Sequence, residues 1–358
     1  MSATAPVDHS QLRARLESAL DEFLIGQHDR LMAIDTDLRP VSDTLRAFIM
    51  GGGKRLRPAF GYWGYRGAGG DDRDEVVRAL ASLELLHACA LIHDDVMDSS
   101  DTRRGEPAVH RRFATLHAAE RWAGDPAAFG RDAAILLGDL CLGWSAEMYS
   151  RCGLPAAQLA AAQPAYDEMR TEVMAGQYLD VLAQADVRHS SRERASRVAE
   201  YKSAKYTVER PLLLGGRLAG APESVLAAYS GYGLPLGEAF QLRDDILGVF
   251  GDPSATGKPA GDDLREGKRT YLVAAAYETA GTDGRAVLDR LLGDRGLDDT
   301  GVTELRALIV DTGALADTER RIATLTAAAL AALDDVPIEA GPAEVLRSLA
   351  TAATVRVF

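Results

Sequence analysis

The stretch LLHACALIHDDVMDSS, residues 85–100, ends an apolar run in three aspartates, Asp94, Asp95 and Asp98. At helical spacing Asp94 and Asp98 are one turn apart with Asp95 beside them, so all three line one edge. Carboxylates this close repel, and a cation between them offsets the repulsion. Hard oxygen ligands at this spacing suit Mg²⁺, with phosphate oxygens and water completing its shell. A second acidic pair, Asp244 and Asp245, lies in AFQLRDDILGVFGD, with Gln241 three residues before Asp244 and able to face the same cleft. A solvated helix end accounts for DDxxD taken alone, and a local salt-bridge network around Arg243 for the second pair. Two such sets, each in an apolar helical background, are harder to dismiss.

Basic residues complement the acidic ones. In GGGKRLRP, Lys54 and Arg57 can grip a polyanion while the glycines permit close backbone approach. Arg103 and Arg104 follow the first acidic set, Lys202, Ser203 and Lys205 lie in YKSAKYT, and Lys258 and Lys268 lie in the segment 251–269. The inventory suggests two kinds of diphosphate contact. One diphosphate is bridged to the aspartates through Mg²⁺; the other is bound directly by Lys54, Arg57 and Arg104. A metal between carboxylates and diphosphate stabilises charge on a departing pyrophosphate, so leaving-group stabilisation rather than a nucleophile carries the chemistry. His87, seven residues before Asp94, is a candidate diphosphate contact, and His93 has a structural or supporting role. There is no convincing Ser–His–Asp set, and GGGKRLRP lacks the spacing and terminal Ser/Thr of a nucleotide P-loop.

The elements that must hold these residues read as helices nearly throughout, because Ala and Leu dominate and β-branched runs are short. The patterns predict two helices over 11–48 broken near Pro40, one long helix over 74–99, and further helices over 127–152, 156–183, 192–218 and 223–250. DTRRGEP reads as a polar turn. GDPSATGKPAGDDLREGKR, residues 251–269, reads as a functional surface loop, helical patterning resumes at Thr270, and GDRGLDDTG breaks it again. With no fixed-period repeat or long linker, the 358 residues, 47% of them hydrophobic, suit a single all-α domain, with residues 1–10 flexible. A formal charge of −13 argues against a nucleic-acid partner. Three cysteines without metal-ligand spacing suggest reduced thiols and a cytoplasmic location. No secretory signal and no membrane span are expected.

Taken together and in order, GGGKRLRP, LIHDDVMDSSDTRRGEPAVH, YKSAKYT, FQLRDDILGVFGDP and TGKPAGDDLREGKRT closely resemble the trans-isoprenyl diphosphate synthases, or polyprenyl synthetases, over nearly the whole chain. The resemblance implies the isoprenoid synthase fold, an all-α helical bundle around a central catalytic cavity, in a homodimer. It implies that isopentenyl diphosphate is condensed with an allylic diphosphate, with Mg²⁺ as cofactor, three ions per active site once substrate is bound. It assigns Asp94, Asp95 and Asp98 to the first magnesium motif and Asp244 and Asp245 to the second. Arg103, Lys202 and Lys258 become contacts to the allylic diphosphate, and Lys54, Arg57, His87 and Arg104 the isopentenyl diphosphate site. Ser203 and Gln241 fall near the leaving group and developing cation, and Lys268 at a basic position of the closing loop. One departure stands out: the second motif commonly reads DDxxD, and Gly248 occupies its last position here.

Product length depends on the helix upstream of Asp94. Counting back four and five residues reaches Ala90 and Cys89, both small, and another turn reaches Leu86, a candidate partial floor. In the resembling family, bulky groups near Ala90 and Cys89 shorten the product, so their absence implies growth past C15 and a stop near C20, that is, geranylgeranyl diphosphate. A farnesyl or longer-chain synthase, and a non-catalytic regulatory subunit, are the alternatives. A terpene cyclase would not need the second diphosphate site.

Overall fold

Capping side chains and prolines set where many of the helices begin. The structure, a computed structural model, describes residues 9–186, 191–252, 261–334 and 336–354. Helix α1 (His9–Ile34) ends at Asp35, whose carboxylate accepts from the Asp37 N–H at 2.9 Å and turns the chain through a short 3₁₀ segment, Thr36–Leu38. Pro40 then falls in the first turn of α2 (Arg39–Met50), where a missing N–H costs nothing. Helices α3 (Leu56–Gly67), α4 (Asp74–Met97), α5 (Val109–Ala119), α6 (Pro126–Ser150) and α7 (Ala156–Ala185) follow. The Asp125 side chain caps α6 through the N–H groups of Ala127 and Ala128 at 3.1 and 3.2 Å.

Beyond these come α8 (Arg192–Ala199), a π-helical stretch (Glu200–Glu209), α9 (Arg210–Leu218), α10 (Glu223–Phe250) and the short α11 (Asp262–Glu266). The chain finishes with α12 (Tyr271–Thr279), α13 (Thr282–Leu291), α14 (Asp299–Asp311), α15 (Ala314–Ala331) and α16 (Ala340–Thr354). Most predicted spans hold to within a few residues, and that of α10 holds at both ends. One expectation gains detail and one is corrected. The turn DTRRGEP is a two-residue hairpin joining β1 (Thr102–Arg103) to β2 (Glu106–Pro107), with Arg104 and Gly105 both at positive φ, 56° and 78°. The helix over 192–218 is continuous but passes through the π-helical stretch at its centre.

The helices gather into two compact units. The first takes residues up to Tyr166 together with 211–222 and 338–343; the second takes 167–210, 223–337 and 344 onwards. In the first, α4 is the central helix and packs against α1, α3 and α6 through buried Leu80, Leu83, Leu85 and Ile92. By length and composition α4 would also pass for a membrane span, but 72% of its most apolar window is buried within the protein, the position of a core helix. In the second unit, α10 packs against the π-helical stretch and α15, around a core that includes Leu242, Ile246, Val249 and Leu272.

Candidate active site

Helix α4 is buried along most of its length, yet a stripe of one face stays partly open: His87, Ala90, Leu91 and Asp94. The spacing i, i+3, i+4, i+7 places these four on one side of the helix. His87 and Asp94 are two turns apart, about 10 Å along the axis at 1.5 Å per residue. The acidic set closes the stripe. Asp95 and Asp98 are 1% and 5% exposed, and Asp98 is the C-terminal cap of α4. Carboxylates at a helix C-terminus meet the negative end of its dipole, so cations beside this set are stabilising. Arg103, presented by β1, is such a cation: it donates from Nε to Asp95 Oδ1 at 2.9 Å and approaches Asp94 Oδ2 at 3.5 Å.

The other end of the stripe is basic. Burial, with the guanidiniums of Arg57, Arg104, Arg103 and Arg55, holds the His87 imidazole well below its ordinary pKa, so it is neutral. Burial also lowers Arg104, against the pull of Glu84 and with a push from Arg55, Arg103 and Arg57. Positive charges held so close favour a polyanion. Arg104 reaches the glycine patch, Nη1 donating to the Gly52 carbonyl at 2.9 Å. Arg57 lies in the first turn of α3, whose N-terminal cap residue, Arg55, makes no capping hydrogen bond through its side chain. A helix N-terminus of this kind adds backbone N–H groups to an anion site. Lys54 is exposed beside it. Arg55 itself is committed elsewhere, in a buried pair with Glu84 at 2.7 Å.

In the second unit the π-helical stretch carries Lys202 and Ser203. Lys202 Nζ donates to Asp180 Oδ2 of α7 at 2.7 Å, and Ser203 is buried. The stretch lies between two helices at points where they have no side chain. A Cβ on Gly176 of α7 would fall 2.3 Å from Lys202 N, and one on Gly237 of α10 would fall 2.4 Å from Ala204 Cα. Wide helical turns of this type recur at functional sites. On α10, Gln241 donates to Asp245 Oδ1 at 2.7 Å. Burial raises Asp245 to about 8; Gln241 opposes this, Asp263 and Asp244 add to it, and Lys268 opposes it. Lys268 Nζ lies 3.0 Å from Glu266 and 3.9 Å from Asp263. Arg243 turns away from the aspartates, making a bidentate pair with Glu319 at 2.6 Å on both nitrogens. The salt-bridge account of the second acidic pair therefore has no support from Arg243.

The donor set fits a hard dication. It is all oxygen, largely buried and rich in like charge, which a dication would offset. Among the described residues no three His, Cys, Asp or Glu side chains form a closed cage for a metal.

Several expected residues come together within a unit: Asp94, Asp95 and Asp98 with Arg103; His87 with Arg57 and Arg104; Asp244 and Asp245 with Gln241 and Lys268. Lys258 lies outside the described residues. Of the expected tunnel positions, Leu86 and Cys89 have no exposed surface, whereas Ala90 keeps some. His93 is structural: its Nε2 meets the Ile135 carbonyl at 3.1 Å, in space that a side chain on Gly138 would fill. Asp180 and Asp263 escaped the sequence reading, although GDDLREGK displays the second of them.

The polyprenyl synthetase family pattern matches residues 39–309 of this chain. The structure superposes on the crystal structure of a geranylgeranyl pyrophosphate synthase from Corynebacterium glutamicum, complexed with isoprenyl diphosphate and magnesium, with a TM-score of 0.95. The two chains are 41% identical, and the match covers 98% of this chain and 100% of the other. The geranylfarnesyl diphosphate synthase of Aeropyrum pernix is 33% identical over 306 residues, 84% of this chain and 89% of its own. The (2E,6E)-farnesyl diphosphate synthase of Mycobacterium tuberculosis is 34% identical over 258 residues, 72% of this chain and 66% of its own.

Proposed function

The chain belongs to the polyprenyl synthetase family, and we propose that within it this protein makes geranylgeranyl diphosphate, by condensing isopentenyl diphosphate with an allylic diphosphate and releasing pyrophosphate. It is a trans-prenyltransferase with Mg²⁺-dependent catalysis. The observation that carries the reading is the open stripe of α4. A basic group around His87 stands at one end, the acidic set at the other, and Ala90 and Leu91 between them. One helix face thus offers a direct site for one diphosphate, a metal-bridged site for another, and apolar surface between.

The residues divide the work. Lys54, Arg57, His87 and Arg104 bind and orient isopentenyl diphosphate. Neutral His87 can accept or donate one hydrogen bond without adding to the positive charge. Asp94, Asp95 and Asp98 in the first unit, and Asp244 and Asp245 in the second, would hold Mg²⁺, three ions with substrate bound. When bound, Mg²⁺ would supply positive charge against the departing pyrophosphate. Arg103, Lys202 and Lys258 bind the same allylic diphosphate, while Ser203 and Gln241 lie by the leaving group and developing cation, and Lys268 supports the loop. The allylic C–O bond breaks with its electron pair on the departing pyrophosphate, the alkene of isopentenyl diphosphate attacks the allylic cation, and the departed pyrophosphate takes the proton whose loss restores a double bond. Holding both reactants aligned and dry supplies much of the acceleration. Ala90 bounds the growing chain, with the buried Cys89 and Leu86 packed behind it.

The whole chain acts as one catalytic domain and pairs as a homodimer. Ile135 and Leu136, apolar and 45% and 63% exposed on α6, fit a surface covered by a second copy. Buried free thiols at Cys89, Cys141 and Cys152 fit a reducing, cytoplasmic setting. The test is a product assay with defined allylic diphosphates, isopentenyl diphosphate and Mg²⁺. A dominant C20 product is expected; a C15 or C25 end point overturns the assignment of length, and no turnover overturns the activity. Asp94→Ala should lower turnover about 10²–10³-fold, the scale of losing one electrostatic stabiliser, with the fold retained. The geranylfarnesyl relative from Aeropyrum pernix makes C25 the second reading.

A further inference from the structure

The chain's two acidic motifs differ in one position. The first runs Asp94, Asp95, two residues, Asp98; the second runs Asp244, Asp245, two residues, Gly248. Gly248 is one turn beyond Asp244 and three residues beyond Asp245, the place on the helix face that Asp98 holds in the first motif. That place is filled from elsewhere in the same unit. A Cβ built on Gly248 would lie 1.8 Å from Asp263 Oδ2, 2.5 Å from Asp263 Cγ and 3.1 Å from Oδ1. The Asp263 carboxylate therefore rests against the backbone of α10 where any side chain at position 248 would begin.

The local structure fixes it there. Asp263 belongs to α11, a single turn bounded by Gly261 and Gly267, both in the left-handed region at φ 75°. Leu264, next to Asp263, has no exposed surface and anchors the turn in the core of the unit. The Asp263 carbonyl accepts from the Lys268 N–H at 3.0 Å, and the Lys268 ammonium stands 3.9 Å from its carboxylate. Packing and backbone together hold the turn that carries Asp263 beside Gly248.

We propose that Asp263 supplies the third carboxylate of the second acidic set, delivered from α11 into space that Gly248 leaves open. The assignment rests on the prenyltransferase reading, because it gives Asp263 a share in holding Mg²⁺ and its water against the substrate diphosphate. It also bears on Gly248: with a side chain there, the Asp263 carboxylate would have to move aside.

The test is Mn²⁺ binding in the presence of inorganic pyrophosphate, followed by the loss of the free-ion electron paramagnetic resonance signal, on protein whose folding is checked by thermal denaturation. Asp263→Ala should weaken the binding by about tenfold or more, the scale seen when groups around a metal are removed. The combined variant Gly248→Asp with Asp263→Ala returns a carboxylate to the same place from α10 and should regain most of the affinity. If Asp263→Ala folds poorly, Asp263→Asn keeps the shape without the charge and should show the same loss. Unchanged affinity in a folded Asp263 variant overturns the proposal, as does a loss that the combined variant fails to restore. If the wild-type protein itself binds no Mn²⁺ with pyrophosphate, the prenyltransferase reading falls and this inference falls with it.

Discussion

Arg103 lies on Asp95: its Nε donates to Oδ1 at 2.9 Å, and the carboxylate it meets is 1% exposed. A cation built into the chain thus occupies the acidic edge, beside the groups that hold Mg²⁺ in the proposed reaction. Removing one partner of a buried ion pair costs about 3–5 kcal/mol, because the remaining charge loses compensation in a site with little water. Arg103→Gln should therefore lower stability by about 3 kcal/mol. Mg²⁺ with pyrophosphate should restore part of the loss by binding the folded state. Thermal denaturation with and without the two ligands reads both effects. Wild-type stability in the variant would show that Asp95 does not depend on this guanidinium.

Arg57→Ala should weaken isopentenyl diphosphate binding more than allylic diphosphate binding. Arg57 contributes to the positive field around His87 and stands in the first turn of α3, not on the carboxylates. A charge-assisted contact is worth about 1.5–3 kcal/mol, roughly a 10- to 150-fold change in Kd. Calorimetric titration with each diphosphate separately measures it. Equal losses for both substrates would dissolve the division between a direct and a metal-bridged site.

Ala90→Phe should shift the product from C20 towards C15. Position 90 lies one turn before Asp94 and keeps exposed surface, so a large ring there can enter the space of the growing chain. Leu86→Ala should allow some product beyond C20, but Leu86 is fully buried, and its truncation should also cost about 2–5 kcal/mol of stability. Chromatography of the dephosphorylated products reads the lengths. An unchanged distribution in both folded, active variants places the length-setting wall elsewhere.

Gly237→Ala should destabilise the second unit by about 1–3 kcal/mol or more through overpacking. Its Cβ would fall 2.4 Å from Ala204 Cα, a backbone atom that can move only with the π-helical stretch around it. Because Lys202 and Ser203 ride on that stretch, allylic diphosphate affinity should fall with stability. Thermal denaturation and direct binding measured together would separate the two. Loss of stability with wild-type affinity would show that the stretch does not position these residues.

Helix periodicity, the two acidic sets and the basic inventory were legible in the chain because each depends on residues close in sequence. Three or four residues along a helix fix a face whatever surrounds it, so Asp94 with Asp98 and Gln241 with Asp244 and Asp245 needed no tertiary information. The helix ends were legible for the same reason. The turn in DTRRGEP was legible as well; the two-residue strands it joins and the π-helical stretch inside a continuous helix leave no comparable period, so those were missed.

Tertiary structure decided the partners. Arg103 on Asp95, Lys202 on Asp180, and Arg243 on Glu319 rather than on the neighbouring aspartates each join segments that sequence spacing does not relate. It also decided burial, which makes His87 neutral and gives Asp245 a pKa of about 8. Gly248 shows the boundary between the two. The resemblance to the family, whose second motif commonly reads DDxxD, implied a carboxylate missing there, and spacing along one helix, a local property, placed the gap one turn after Asp244. Only the packing of α11 against α10 brought Asp263 to the same place, because contacts between distant segments are selected by the core they jointly bury.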